Sequence, residues 1–177
     1  MLIGSNFVSS CMFKNCQKVE IPASDKAWFS HFNIGEEYIY LSDKGVYDTI
    51  RVVDKYDDYT PCNKLEIGEY QFNRSKVALE RNNTQYIYAL FTSTESNSIW
   101  RNFKFDELSG QFYGNEIQNC VDTVRIESIS KLIPVYTISN KNTAVNSASQ
   151  IVSFSWNKTL GIVRYETRDG EVFKLVK

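Results

Sequence analysis

The sequence predicts a mainly β domain: an antiparallel sandwich, barrel or half-barrel of about ten strands, with at most one or two short helices. From residue 36 onward, apolar and aromatic residues recur at every second position in short runs bounded by turn residues. Aromatic residues also make up 14% of the chain, and their side chains pack well on pleated surfaces. This pattern does not choose among the three architectures.

Composition indicates a single globular domain. The 177 residues fit one domain, and the 42% of apolar residues suffice for a sizeable core. We expect residues 1–24 to form a truncated signal or lipid-anchor region with a tether, and residues 25–177 to form the β domain. The 20 basic and 21 acidic residues are spread along the chain, so no basic stripe predicts nucleic-acid binding. No apolar stretch approaches the length of about 18 residues that a transmembrane helix requires.

The first predicted hairpin joins strands at residues 36–42 and 46–53. The segment Asp43-Lys44-Gly45 lies between them, and Gly45 can supply the positive φ that a three-residue hairpin loop needs. Further strands are predicted at residues 65–72, 84–92, 99–105, 111–113, 121–128 and 133–139. Turn signals at Asn82-Asn83 and Leu108-Ser109-Gly110 separate some of these strands, and the polar residues 140–149 read as a loop.

The C-terminal unit has the clearest pattern. Strands are predicted at residues 150–156, 161–167 and 171–176, and Arg168-Asp169-Gly170 provides a hairpin turn between the last two. Evidence for helices is thin. Ser24 could cap a short turn through residues 25–32, and residues 74–81 could be helical, but neither run has a full amphipathic repeat.

The N-terminal residues predict a lipid anchor. Val8-Ser9-Ser10-Cys11 is similar to a bacterial lipobox, in which small residues precede the cysteine that is lipidated. The expected charged region and full apolar region are truncated, which is consistent with a longer signal upstream of the given start. The alternative is an ordinary frayed terminus with a chance cysteine.

The other cysteines leave the disulfide pairing open. Cys16, Cys62 and Cys120 contain no C-x-x-C pair, and His31 lies in no metal-ligand spacing, so we expect no metal and no cofactor. Cys62 could pair with Cys120 or with Cys16 in an oxidising compartment. In the alternative, all the thiols are buried and reduced.

Few residues suggest catalytic chemistry. No nucleophile elbow, P-loop, dinucleotide-binding or zinc-protease motif occurs in the sequence, and we assign no catalytic residue. His31 lies beside Trp28 and Phe32, which favours a packing role over that of a base paired with a cysteine. Residues 54–58 hold three aspartates that could bind calcium, although a solvated loop is the favoured interpretation.

Tyrosine-rich strands raise a binding hypothesis. Tyr38, Tyr40, Tyr86 and Tyr88 could line a groove, with apolar rings and polar tips facing a ligand. An ordinary β core has the same pattern and is the favoured alternative. If a ligand binds, we expect a small apolar or glycan molecule on a concave β face.

The chain resembles the small β-rich lipoproteins of bacteroidete-type bacteria, many of which have no assigned function. The resemblance rests on the box at Cys11, on the G-x-x-x-x-Y-x-S-D-x-G-x-x-D-T-I pattern of residues 35–50, and on residues 160–171. In those bacteria D-[ST] followed by a small or aliphatic residue is an O-glycosylation motif. The resemblance therefore implies Thr49 and Thr123 as candidate glycosylation sites and a location in the periplasm or outer membrane.

Together these observations favour a lipid-anchored envelope domain with a non-enzymatic binding or structural role. A small periplasmic hydrolase, with a site built from distant loops, is one alternative. A lipid or lipoprotein carrier of the half-barrel type is the other, and it rests on fold-level analogy. The sequence does not indicate an oligomeric state.

Overall fold

The computed structural model describes residues 16–65, 68–82, 84–94, 98–113, 121–126, 131–139 and 150–176. These residues are mostly strand, with a single short helix among them. The elements are β1 (Gln17–Val19), α1 (Ala23–Lys26), β2 (Glu37–Ser42), β3 (Tyr47–Tyr59), β4 (Asn63–Leu65), β5 (Gly68–Arg81), β6 (Thr84–Ser93), β7 (Ile99–Phe105), β8 (Leu108–Tyr113), β9 (Val121–Ile126), β10 (Lys131–Ser139), β11 (Ile151–Asn157), β12 (Gly161–Thr167) and β13 (Val172–Leu175). Within the described ranges, no helix is long and apolar enough to cross a bilayer.

Eleven of these strands form one open, curled antiparallel sheet with the shape of a half-barrel. Their order is β8-β7-β6-β5-β3-β2-β13-β12-β11-β10-β9. The curl brings β8, at one end of the sheet, into contact with β10 and β11 near the other end. The predicted mainly β fold is confirmed, and the half-barrel is the one of the three predicted architectures that the chain adopts.

Two short strands lie off the main path of the sheet. The first half of β5 pairs with β1 in parallel and with β4 in antiparallel register, whereas its second half pairs with β3 and β6. Residues 17–24, which we expected to belong to the tether, are therefore part of the folded structure.

Both hairpins predicted from glycine-containing turns are present. Gly45, between β2 and β3, has φ +82°, and Gly170, between β12 and β13, has φ +83°. Both values lie in the left-handed region that glycine adopts without steric cost. The turn residues thus set the pairing of these four strands as the sequence predicts.

Two predicted elements are wrong because the alternation of side chains overrides the local signal. Residues 74–81 form the second half of β5 and not a helix, since every second side chain, including Val77 and Leu79, points into the core. Residues 54–58 continue β3 and do not form a solvated loop. β5 runs further than predicted because β3 and β6 flank its second half, and β3 runs further because its residues 54–59 pair with β5.

Two predicted boundaries are also wrong. Leu108-Ser109-Gly110 is not a turn but the start of β8. The turn instead falls on Asp106 and Glu107, where Asp106 takes a φ of +52°. Ser24 does not cap α1, since the helix begins at Ala23 with Pro22 in the N-cap position and no side-chain capping hydrogen bond.

Aromatic side chains that follow α1 fill the inside of the half-barrel. We call Trp28, Phe29 and Phe32 the aromatic plug. Each of the three is at most 4% exposed. The Phe29 and Phe91 rings meet edge-on with centroids 4.8 Å apart, and the Phe32 and Trp156 centroids are 5.9 Å apart. The concave side of the sheet is therefore packed with the protein's own side chains.

Buried polar contacts hold the segment that carries the plug. Arg101, on β7, donates to the Asp25 carboxylate of α1 through Nε at 3.0 Å and also through Nη2. Asn73, on β5, accepts a hydrogen bond from the Ile21 amide at 3.3 Å. Since both partners in the sheet are buried, these contacts fix the position of the segment.

A second buried polar cluster lies inside the half-barrel, where Tyr165 packs on Phe105 and Phe173. Asp48 is 8% exposed and accepts hydrogen bonds from the Arg81 guanidinium and the Tyr165 hydroxyl. Burial, followed by the hydrogen bond to Asp48, raises the pKa of Tyr165 well above its ordinary value. Tyr165 therefore remains a neutral donor, and Asp48 has a partner for its charge.

Candidate functional site

The outer surface of β3, β5, β6, β7 and β8 carries several aromatic and amide side chains. Inward positions on these strands hold core residues such as Val77, Phe91 and Phe103. The outward positions form three cross-strand rows. The rows are Asp58-Arg74-Thr92-Trp100-Tyr113, Tyr56-Lys76-Leu90-Asn102-Gln111 and Asp54-Ala78-Tyr88-Lys104-Ser109. We call this surface the aromatic face.

Two large aromatic residues lie side by side at one edge of this face. Trp100 on β7 is the direct cross-strand partner of Tyr113 on β8. The Tyr113 side chain is 54% exposed, whereas Trp100 is half-buried. Directly opposed positions on neighbouring strands place side chains next to one another, so both aromatic residues belong to the same edge of this face.

Asn102 is a buried amide on the aromatic face. It is 7% exposed, and its Nδ2 donates to the Tyr88 hydroxyl at 3.2 Å. Its Oδ1 is buried and has no hydrogen-bond partner among the described residues. Turning the amide over would exchange the two atoms and leave Nδ2 without a partner instead. In either orientation, half of this amide is unsatisfied.

The indole of Trp100 also lacks a hydrogen-bond partner. Its Nε1 is buried and finds no acceptor within the described parts of the chain. Trp100 and Asn102 lie two residues apart on β7 and point to the same side. A donor and an acceptor that lack partners therefore occur together on this face, and such groups require an explanation in a native structure.

Charges on the aromatic face are nearly balanced. The three rows carry three cations (Arg74, Lys76 and Lys104) and two carboxylates (Asp54 and Asp58). Arg74 pairs with Asp58 at 2.8 Å. The Lys76 ammonium lies 5.6 Å from the Tyr56 ring centroid and 5.8 Å from that of Tyr88, which are cation–π distances.

Tyr56 remains uncharged on this face at neutral pH. Burial raises the pKa of its hydroxyl; the nearby Arg74 lowers it, and Asp58 and Asp54 raise it further. The phenol is therefore available as a hydrogen-bond donor and as an aromatic surface.

The four tyrosines of the binding hypothesis do not share one groove. Tyr38 and Tyr40 point into the half-barrel, where the Tyr40 hydroxyl donates to the Ile162 carbonyl at 2.8 Å. Tyr88 lies on the outer, aromatic face. The side chain of Tyr86 lies outside the described part of the structure. Of the three tyrosines whose side chains are described, only Tyr88 lies on the candidate site.

His31 packs against the aromatic plug. Its ring centroid is 3.9 Å from that of Phe32, and both ring nitrogens are buried without a hydrogen-bond partner among the described residues. The pKa of His31 is lowered to about 4, mainly by burial of the ring. The negative charge of Glu36 raises this pKa by a smaller amount, and the positive charge of Lys55 lowers it further. The imidazole is therefore neutral at physiological pH, and no described group orients it as a catalytic base.

Cys16 and Cys62 form a disulfide with Cα atoms 6.0 Å apart. This is one of the two pairings that the sequence left open. Cys11 and Cys120 lie outside the described residues. Of the three aspartates of β3 considered for calcium, Asp57 points inward and binds Lys26 at 2.8 Å, whereas Asp54 and Asp58 point outward. The three carboxylates do not converge on one ion.

Both candidate glycosylation sites are exposed. Each threonine follows an aspartate and donates its backbone N–H to that carboxylate: Thr49 on β3 to Asp48 at 2.8 Å, and Thr123 on β9 to Asp122 at 2.7 Å. Asp48 is buried and also binds Arg81, whereas Asp122 is exposed. The two D-T segments thus share a local geometry but differ in their surroundings.

A surface groove borders the aromatic plug at Phe29. This groove, of about 300 Å³, lies beside α1 and is lined in part by Lys26, Lys55 and Asp57. The Lys55 ammonium also donates to the Phe32 carbonyl at 2.8 Å. This groove is therefore crossed by internal hydrogen bonds of the protein.

The sequence interpretation missed Trp100 and Asn102. The signal was available, because alternation in residues 99–105 assigns Ile99, Arg101 and Phe103 to one side and Trp100 and Asn102 to the other. A tryptophan on the side opposite the core residues is the feature that could have identified the site.

Comparisons with known proteins do not add to this description. No family model matches the chain, and neither a curated protein nor a solved structure matches it.

Proposed function

We propose that this chain is a non-enzymatic binding domain of the bacterial cell envelope, anchored by a lipid at Cys11, that holds its ligand on the aromatic face. The observation that carries the binding role is Asn102: an amide 93% buried on the outer side of the sheet, half of which lacks a partner in the described structure. A bound ligand would supply that partner.

The location is supported by the disulfide between Cys16 and Cys62. Disulfides persist in oxidising compartments such as the periplasm and the cell surface. The four residues between Cys11 and Cys16 give five Cα–Cα steps, which would span at most about 18 Å in an extended chain. A lipid at Cys11 would therefore keep the disulfide end of the domain close to the membrane.

The filled interior favours binding on the outer surface over transport of a lipid. Carriers with a half-barrel fold need an empty concave side for an acyl chain, and here the aromatic plug occupies it. His31 contributes a neutral, unoriented imidazole, which gives the hydrolase alternative no supporting contact.

Two experiments test the proposal. Radiolabelled palmitate should be incorporated by the full-length precursor expressed from its native start, and the Cys11→Ala variant should lose the label. The purified full chain should also co-sediment with lipid-extracted envelope material from the bacterium that carries the gene, and Asn102→Ala should not. Exposed Thr123, on the opposite end of the sheet, gives the control variant Thr123→Ala, which should sediment like the wild type. Equal sedimentation of Asn102→Ala would overturn the binding role.

A further inference from the structure

The chemistry of the aromatic face points to a ligand class. We infer that it binds a neutral glycan chain laid across β5, β6, β7 and β8, with Asn102 as the buried polar anchor and Trp100 as the stacking surface. This inference rests on the proposed function and specifies its ligand.

Sugars match the two kinds of group that the face presents together. A pyranose ring has a face of C–H groups that packs on an aromatic ring, and hydroxyls around its edge that both donate and accept hydrogen bonds. Trp100 and Tyr113 supply the aromatic surface. The Asn102 Oδ1 and Trp100 Nε1 atoms supply one acceptor and one donor, each without a described partner. A hydroxyl group can satisfy both, whereas a purely apolar ligand can satisfy neither.

The charge balance favours a neutral glycan over an acidic one. The three rows hold three cations and two carboxylates, and Arg74 is already paired with Asp58. Binding of an acidic polymer needs a cluster of cations that face it. Of the two remaining cations, Lys76 lies over the Tyr56 and Tyr88 rings, and Lys104 shares its row with the Asp54 carboxylate.

Access to the anchor runs through exposed side chains. The cross-strand neighbours of Asn102 are Leu90, which is half-buried, and Gln111, which is exposed. A glycan that reaches Asn102 would therefore pass over exposed Gln111, whose amide could then hydrogen-bond the sugar hydroxyls.

Affinity electrophoresis of the full chain in native gels tests the inference. The gels contain a neutral polysaccharide (hydroxyethyl cellulose, mannan or starch) or an acidic one (polygalacturonate). We expect a neutral polysaccharide to retard the wild type. Trp100→Ala and Asn102→Ala should each raise the dissociation constant measured from the retardation by at least about tenfold. This is the effect of losing one hydrogen bond or stacking contact.

Tyr47→Ala is the matched control. Tyr47 is an aromatic residue 69% exposed at the β2–β3 turn, away from the aromatic face. This variant should be retarded like the wild type, and thermal unfolding should show that all variants are folded. Asn102→Leu keeps the branched shape and the four heavy atoms of the side chain without its polar atoms, and it should weaken the retardation as Asn102→Ala does.

Three results would overturn the inference: no retardation by any neutral polysaccharide, retardation by polygalacturonate alone, or equal retardation of the wild type and both face variants. If the glycans fail while Asn102→Ala still abolishes sedimentation with envelope material, the binding role stands and only the ligand class is wrong. If no neutral polysaccharide retards the protein and Asn102→Ala also sediments like the wild type, the binding role and the ligand class are both wrong.

Discussion

Arg101 and Asp25 form a buried ion pair that ties α1 to the inside of the half-barrel. The Arg101 Nε lies 3.0 Å from Asp25 Oδ1, and the two side chains are 10% and 13% exposed. Since the aromatic plug begins three residues after Asp25, this pair determines how the plug enters the sheet.

Removing one partner of this pair should strongly destabilise the fold. We expect Arg101→Ala to lower the free energy of unfolding by about 3 kcal/mol, because it leaves the Asp25 carboxylate buried without a counter-ion. Urea denaturation measures the change. The control is Lys44→Ala, which removes an exposed ion pair with Asp169 and should cost less than about 1 kcal/mol. Similar losses in both variants would contradict the structural role of the buried pair.

Stability should fall in mild acid because of His31. Burial lowers its folded-state pKa to about 4, below the ordinary value of about 6.5. The unfolded chain therefore binds more protons than the folded chain between these two values, and stability is lost as the pH falls through that window. The full linkage corresponds to about 3 kcal/mol, reduced by solvent screening because the ring is only partly buried.

His31→Phe separates this effect from general acid denaturation. The variant should lose the part of the pH dependence between pH 6.5 and pH 4 while keeping its stability at pH 7.5, since neither His31 nitrogen has a described hydrogen-bond partner. Free energies of unfolding at pH 7.5, 6, 5 and 4 provide the measurement. Identical pH profiles for wild type and variant would show that His31 does not titrate as described.

The disulfide should contribute strongly to stability. It joins residues 46 positions apart, and the chain-entropy model gives about 4 kcal/mol for a loop of that size. Reduction with dithiothreitol should lower the urea midpoint of the wild type. The double variant Cys16→Ser/Cys62→Ser should show the lower midpoint with or without reductant. A wild-type midpoint unaffected by complete reduction would contradict this prediction.

Two glycines with similar backbone angles give a matched test of packing against the plug. Gly45 and Gly161 have φ +82° and +71°, so alanine is strained at both positions, by about 1 kcal/mol. A Cβ at Gly45 meets no atom within 4 Å, whereas one at Gly161 would lie 2.6 Å from Phe32 Cζ. We expect Gly161→Ala to cost at least about 1 kcal/mol more than Gly45→Ala. Equal costs in thermal or urea unfolding would show that Phe32 does not pack there.

Local turn chemistry made part of the fold predictable. Gly45 and Gly170 adopt the positive φ that a glycine in a tight hairpin turn suggests, and their position in the sequence therefore identifies two hairpins. Alternation likewise identifies most strands. The helix considered for residues 74–81 shows the limit, because the burial of Val77 and Leu79 on one side becomes evident only when β3 and β6 flank the strand.

The candidate site depended on long-range packing that the sequence does not encode locally. Tyr40 and Tyr88 have similar sequence surroundings, yet one is buried in the core and the other lies on the outer face, because the curl of the sheet determines which side is concave. The sequence could not predict the aromatic plug either, because the aromatic residues after α1 pack against Phe91 and Trp156, which lie far along the chain.

Fluorine NMR of the full chain labelled with 5-fluorotryptophan tests the central claim most directly. The three tryptophans Trp28, Trp100 and Trp156 give one signal each, assigned by single Trp→Phe variants. When the neutral polysaccharide is added, we predict a shift of the Trp100 signal, with Trp28 and Trp156 unchanged inside the filled half-barrel. A shift of Trp28 or Trp156 with no change at Trp100 would place the ligand in the interior and contradict the account.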